Sequence, residues 1–288
     1  MTEKRSTLIL ALIFFVLLLL TFFGYIVYPT RKITATLSNS LMRADTKKQI
    51  ASIVLTSDSA RFPIRLIQKD TRWWLSLGNQ LYPAREEKIH SFINELIRRR
   101  TILNTHASNG HAYGIDNTDS IRVRIIDAGE RILSDLYFGH NNATGTQIAV
   151  RSGTDIHVLL VEDTLSSYLD MKTAFWVDLT IFQTISKTAN IQRIRYIDGN
   201  RTKEYRAGQD KEIGQFEQIL NSLTCIDITN IPIAAQEQIE LELGDTSVVH
   251  LKLAPLNENE YIITDSRTGA AYILSKWSKE RIEKTFSK

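Results

Sequence analysis

The side chains able to do chemistry are few in this 288-residue chain, and they do not cluster. His106 and His111 are the closest pair of the six histidines, with Asp116 behind them. Metal binding there would need a third ligand brought near by folding. Five-residue spacing in a loop rich in Asn and Gly reads instead as solvated polar surface, and no metal is expected there. Asp116 and Asp119 stand close enough to suggest a carboxylate pair for acid–base work. Neither has the apolar setting that raises a carboxyl pKa, and Asp in such a loop commonly bonds its own backbone. Asp163 and Asp178 give no stronger signal. Gly139 to Gly145 approaches a phosphate-cradling loop, but five residues separate the glycines instead of four and Thr146 follows where lysine is required, so a hairpin loop is expected. The chain contains no G-x-S-x-G elbow, H-E-x-x-H, EF-hand or dinucleotide fingerprint. Cys225 is the one cysteine; it permits neither an internal disulfide nor a thiolate cluster, and among Leu223, Ile226 and Ile228 it reads as a small buried hydrophobe. The expectation is a protein without catalytic residues, cofactor or metal.

Residues suited to recognition are easier to name. Trp73 and Trp74 are adjacent, so on a strand they face opposite sides of the sheet. One can fill the core while the other, half exposed, anchors a partner or ligand; the alternative is that both are covered. Tyr82 belongs to the same candidate surface. Arg98, Arg99 and Arg100 could touch anionic lipid or a partner, or form the solvated last turn of a helix, where cations suit the macrodipole.

The elements that must position these groups begin with an apolar run, Leu8 to Tyr28, that carries no charged residue. Twenty-one helical residues span about 32 Å, close to the roughly 30 Å hydrocarbon core of a bilayer. The run is too long for a cleavable signal, and Gly24-Tyr25-Ile26-Val27-Tyr28-Pro29 is too bulky for a cleavage site. It reads as a retained transmembrane anchor, with Tyr25 and Tyr28 at an interface. Lys4 and Arg5 precede it, whereas Arg31, Lys32, Arg43, Lys47 and Lys48 follow. A strict positive-inside count would keep the body in the cytoplasm. That rule is weak for long translocated domains, and a short N-tail before an uncleaved run behaves as a signal anchor. The body is therefore expected outside the cytoplasm, held to the inner membrane by one pass.

After the anchor about 260 residues remain, enough for one large or two ordinary domains. With 43% apolar and 23% charged residues, this is globular rather than disordered composition. A net charge of +3 is too small and dispersed to argue for nucleic acid. Residues 1–30 form the N-tail and anchor, and 31–48 a polar connector. Strands are predicted in QIASIVLTSDS, RFPIRLIQK and RWWLSL, with a hairpin turn at Gln68 to Thr71. Ile89, Phe92, Ile93, Leu96 and Ile97 form one helical stripe, with Glu86 and Glu87 in the first turn and the three arginines in the last. Four further strands follow in SIRVRIID, RILSDLYFG, TQIAVRSG and DIHVLLVE, then a short helix over Thr164 to Met171.

The second half repeats this order. Ile194 matches Ile53 at an offset of 141; Ile213, Phe216 and Leu220 match Ile89, Phe92 and Leu96 at 124; Ile239 matches Ile121 at 118; and YIITDSRTGAAYILS mirrors QIAVRSGTDIHVLLVE at about 114. An offset that only shrinks is what duplication followed by loss of loops would give. The expected units are 49–174 and 191–288, with a junction at 175–190 where Trp176 is buried between the halves. Grouped strands and helices make the class α+β, with mainly antiparallel sheets.

Trp74-Leu75 before Tyr82-Pro83-Ala84, the helix Ile89 to Ile97, Ala112-Tyr113-Gly114-Ile115-Asp116, the strand end Phe138-Gly139 and the junction Phe175-Trp176-Val177-Asp178 carry a resemblance. The chain resembles a bacterial family of membrane-anchored proteins, number 4340 in the domain-of-unknown-function series, over nearly its whole length after the anchor. The resemblance implies an N-terminal helix and a repeated α+β body, and company with ABC-type transport components, including the gliding-motility type. It supplies no catalytic residue. The chain departs from the pattern at Trp176, where a basic residue is usual, so no role is attached to that position. The expected function is an accessory or scaffold subunit of a membrane complex; the alternative is a module binding a ligand or cell-wall polymer.

Overall fold

Strand β2 (Ile50–Thr56) turns Ile50, Ile53 and Leu55 inward, and β3 (Ile64–Lys69) adds Ile64 and Leu66 on the same side. The turn from β3 to β4 (Arg72–Leu77) places Asp70 and Thr71 at positive φ, 51° and 67°. Two consecutive left-handed residues match the twist of paired strands, which is why this turn closes tightly. Strand β5 (Gln80–Pro83) completes the meander and leads into helix α1 (Glu86–Ile97), which buries Ile89, Phe92, Ile93 and Leu96. Then come β6 (Arg100–Asn104), β7 (Ile121–Asp127), β8 (Ile132–Asn141), β9 (Gln147–Ser152) and β10 (Leu159–Glu162). The structure is a computed structural model that describes residues 35–105, 109–153, 155–180, 191–208 and 210–286. The run Leu8–Tyr28 lies outside the described residues, and among those residues no helix is long and apolar enough to cross a membrane.

Residues 35–49 are more structured than a plain connector. Strand β1 (Ala35–Asn39) pairs with β6, and a 3-10 turn spans Ala44–Gln49. In place of a helix over Thr164 to Met171 there is a 3-10 turn at Ser166–Tyr168 and a single helical turn, α2 (Thr173–Trp176). Asp163 explains the break: its carboxylate accepts the Leu165 and Ser166 N–H groups, so the chain turns there. The three arginines also fall outside the helix. Arg98 is its C-cap and Arg100 opens β6.

The remainder comprises β11 (Ile191–Asp198), β12 (Arg201–Arg206), α3 (Asp210–Ser222), β13 (Asp227–Thr229), β14 (Glu237–Leu243), β15 (Val248–Pro255), β16 (Glu260–Asp265), β17 (Ala271–Ser275) and α4 (Lys276–Phe286). The strands form two sheets, of ten and seven, and the ladders between named strands are all antiparallel, as expected for α+β. Set aside β1, β4 and β5, and the first sheet reads β3-β2-β7-β8-β9-β10-β6; the second reads β12-β11-β14-β15-β16-β17-β13. Position by position these are the same topology.

The correspondence reaches the hydrogen bonds. A bulge interrupts β2–β7 between Ile50 and Ser52, and one interrupts β11–β14 between Ile191 and Arg193. The β7–β8 turn is closed by Asp127 N–H to Arg131 C=O at 3.0 Å, the β14–β15 turn by Leu243 N–H to Ser247 C=O at 2.9 Å. Each carries one residue at positive φ, Glu130 at 63° and Thr246 at 68°. Ile53 pairs with Ile125 and Ile194 with Leu241, so β7 and β14 correspond at an offset of 116 rather than 118. A two-residue error keeps every side chain on its own face, so it is invisible to hydrophobic pattern.

One continuous cluster of buried apolar side chains runs through both sheets. Trp176 sits within it, fully buried, its ring 5.9 Å from that of Phe92 and its indole N–H donating to Asp170 C=O at 2.8 Å.

Candidate functional site

Where α1 begins, segments far apart in sequence meet. After β5, Ala84 forms an isolated bridge with Val177. The Arg85 N–H donates to Trp176 C=O at 2.7 Å and the Arg85 Nε to Val177 C=O at 2.8 Å. Asp178 N–H returns a bond to Pro83 C=O at 2.8 Å, and Cys225 N–H reaches Leu179 C=O at 2.9 Å. The chain leaving α2 is thus stitched to β5 on one side and to the approach of β13 on the other. Next to this clasp opens a cleft of about 910 Å³, whose lining includes Arg72, Trp74, Arg85, Lys88, Asp178 and Thr224. Trp74 is half-buried there. Lys88 Nζ lies 3.5 Å from the centre of the Phe175 ring. Burial, then the nearby Arg85, hold the Lys88 ammonium below its ordinary pKa. Aliphatic and aromatic surface beside cationic donors can hold an amphiphilic or ring-bearing ligand.

The exposed-aromatic reading holds in part. Trp73 is 3% exposed and Tyr82 0%, so neither is available to a partner, a correction to their place on a candidate surface. The reason is pleat and pairing: Trp73, Leu75 and Tyr82 share the face that packs inward, and only Trp74 points away. Tyr82 instead joins the halves. Its hydroxyl donates to Thr229 C=O at 2.7 Å and its ring meets Tyr272 edge-on at 5.7 Å.

The arginines divide similarly. The Arg100 side chain is fully buried, donating to Glu162 C=O at 3.2 Å and Thr164 Oγ1 at 3.1 Å and paired with Glu95 at 3.3 Å. It is a strut between α1 and the sheet and cannot reach lipid. Arg98 bridges Glu95 at 3.2 Å and Glu162 at 3.4 Å. Arg99 is exposed.

The candidate acid–base and metal residues are dispersed. His106 lies outside the described residues. His111 is exposed in a 3-10 turn, and the Asp116 carboxylate is 3.0 Å from Arg151. Asp119 faces His140 at 3.3 Å. Among the described residues no three His, Cys, Asp or Glu side chains converge as a metal site would require. Asp178 accepts the Thr180 N–H and hydroxyl. Burial would raise the Asp163 pKa, but bonds from the Ser166 hydroxyl and N–H, the Asn141 amide and the Leu165 N–H outweigh it and hold the carboxyl below its usual range. Burial pushes the Cys225 thiol well up. The Gly139–Gly145 loop closes on itself, Asn142 Oδ1 accepting from the Thr146 and Gln147 N–H groups.

One polar cluster has no local signal in the sequence. Lys279 on α4 sits 2.9 Å from Glu237 and 2.5 Å from Glu283, with the Tyr196 hydroxyl donating to the other Glu237 oxygen at 2.6 Å. Burial lowers the Lys279 pKa, but the two carboxylates outweigh it and raise the net value. The i,i+4 spacing of Lys279 and Glu283 is readable; the third and fourth members come from β14 and β11.

Comparison with known proteins returns relatives rather than roles. An uncharacterized protein from Treponema pallidum (strain Nichols) is 23% identical over 263 residues, covering 89% of this chain and 78% of its own length. No solved structure matches. The model for the family described as a domain of unknown function, DUF4340, matches residues 73–275, which run from the buried Trp73 through the clasp to the end of β17. The chain belongs to the DUF4340 family.

Proposed function

We propose that this protein is a non-enzymatic envelope component: a duplicated antiparallel body, anchored in the membrane through Leu8 to Tyr28, that serves as an accessory or scaffold subunit of a membrane complex. The observation that carries the reading is where the residues behind the family resemblance go. Trp74, Pro83-Ala84 and Phe175 to Asp178 converge on the clasp, and Gly114 and Gly139 converge on one loop crossing, whereas the carboxylates are spent on capping and ion pairs. These residues therefore hold a shape. A shaped, rigid surface is what a binding subunit needs, and the uncharged N-terminal run supplies a reason to work at a bilayer. The resemblance to proteins that accompany ABC-type exporters makes such a transporter the leading partner, with the body on the outer side of the inner membrane. The cleft beside Trp74 and Lys88 favours a second reading, a module that binds a ligand or cell-wall polymer.

Crosslinking of the full chain in native membranes, followed by mass spectrometry, separates the two. Recovery of transporter or other envelope subunits on the body supports the scaffold. Polymer or small-molecule binding that disappears in Trp74→Ala, with no protein partner recovered, transfers the function to the cleft. Protease added to intact and to opened cells reads the side of the membrane.

A further inference from the structure

The outer faces of the two sheets differ where their topologies coincide. On the second sheet, Arg195 of β11 stands between Glu204 of β12 and Glu240 of β14, 2.9 Å and 3.2 Å from their carboxylates. One pleat further along, Arg193 pairs with Glu242 at 2.8 Å, and Arg206 turns to Glu204. Three arginines and three glutamates thus neutralise one another on this face.

The same positions of the first sheet carry other residues. Ile53 corresponds to Ile194, so Val54 stands in the place of Arg195. It is flanked by Arg65 of β3 and Arg124 of β7, in the places of Glu204 and Glu240. Ile67, Ser52 and Ile126 replace Arg206, Arg193 and Glu242. Six positions that balance on the second sheet therefore hold two cations and no anion on the first. Asp135 opposes Arg124, but Arg122 holds it through two bonds of 2.9 Å and 2.7 Å. Among the described residues neither Arg65 nor Arg124 has a carboxylate partner, and Arg124 Nε is buried without an acceptor. A donor withdrawn from water with nothing to bond costs stability, and an arriving carboxylate recovers it.

The apolar row beside these cations decides what kind of anion fits. Trp74 of β4 opposes Ile67, and the row continues through Ser52 to Ile126. All four are half-buried and Val54 is 5% exposed, so no apolar side chain stands clear of the face to enter a bilayer. A flat apolar row with tryptophan and arginine side by side is the composition of a protein–protein contact.

We infer that this face, Arg65 and Arg124 with the row from Trp74 to Ile126, docks a segment of a partner protein that carries at least two carboxylates beside apolar side chains. The inference deepens the scaffold reading and rests on it, naming the surface used and the chemistry it meets. Neither arginine lines the cleft beside Lys88, so ligand binding there is a separate matter.

The test places a benzophenone amino acid at Ser76, next to Arg65 in the same row, and irradiates the full chain in native membranes. A control label replaces Trp277, which is 65% exposed on α4. The expected result is an adduct from position 76 to another protein, on a peptide with two or more Asp or Glu among apolar residues. The triple exchange Val54→Arg, Arg65→Glu and Arg124→Glu copies the second sheet's row into the first. It should lower that adduct about tenfold or more while the melting temperature changes little. If the exchange unfolds the body, Arg65→Glu alone, at an exposed position, should still lower it severalfold. Adducts from position 76 to lipid alone, to another copy of this chain alone, or to a peptide without acidic residues overturn the inference, as does an undiminished adduct in the exchanged chain. A protein adduct from 277 with none from 76 also overturns it but leaves the scaffold standing. No protein adduct from either position removes both.

Discussion

At the scale of single residues, Asp163 is a carboxylate committed to capping a turn. Asp163 accepts four bonds, from the Leu165 N–H, the Ser166 N–H and hydroxyl and the Asn141 amide. Asp163→Ala should cost about 1–2 kcal/mol, since a cap and its neighbours are lost together. Because the folded pKa lies below the unfolded one, the contribution is complete above the unfolded value and fades as pH falls through the folded value. Urea unfolding of wild type and variant across acidic pH should therefore show two curves that converge; a constant gap would mean that the carboxylate charge is irrelevant. Lys279 behaves oppositely. Its pKa is raised, so its stabilisation is full below the unfolded lysine value and lost as pH climbs through the folded one. Lys279→Met removes the cation that Glu237 and Glu283 share and should cost about 1–3 kcal/mol at neutral pH. A loss below ~1 kcal/mol would show that the pair is solvated in practice.

At the scale of elements, the informative contacts are those no single segment could announce. Gly139 on β8 admits the 110–115 loop: a Cβ there would stand 2.1 Å from Tyr113 C=O. Gly139→Ala therefore forces backbone apart, and should cost about 1–3 kcal/mol, with hydrogen exchange accelerated in residues 110–117 and little altered in the second sheet. Uniform acceleration would contradict that local account. The long strands and helices α1 and α3 are legible because each has a clear period, of two or of 3.6. Strands β1, β5, β6, β12 and β13 are not. They are three to six residues long, and sequences such as Arg201–Arg206 or Asp227–Thr229 carry few apolar residues. Four of the five are sheet edges, where one neighbour suffices, and β6 lies next to one, so their extended form comes from the ladder they join.

At the scale of the whole molecule, the halves are coupled through Tyr82 and the clasp, which makes cooperative unfolding the expectation. Tyr82→Phe removes one hydroxyl and leaves the Thr229 carbonyl without that donor, at about 1 kcal/mol. Tyr82→Ala also opens a cavity between the sheets and should cost about 3–5 kcal/mol. The distinguishing readout is the shape of the transition. Tyr82→Ala should split a single calorimetric transition into two, as the second sheet loses the ring that covers it; a single sharp transition at lower temperature would show that the clasp alone couples the halves.

Taken by itself, the sequence determined the antiparallel α+β class, the long elements, the twofold order of the segments and the burial of Trp176, because periodicity and order are properties of the chain. The tertiary structure decided which tryptophan is buried, that Tyr82 covers the second sheet rather than facing a ligand, that Arg100 is a strut, and that β7 and β14 correspond at 116. Each of these depends on which strand lies beside which. Strand pairing sets facing and register across a hundred residues or more, and a linear pattern with a period of two holds no record of it.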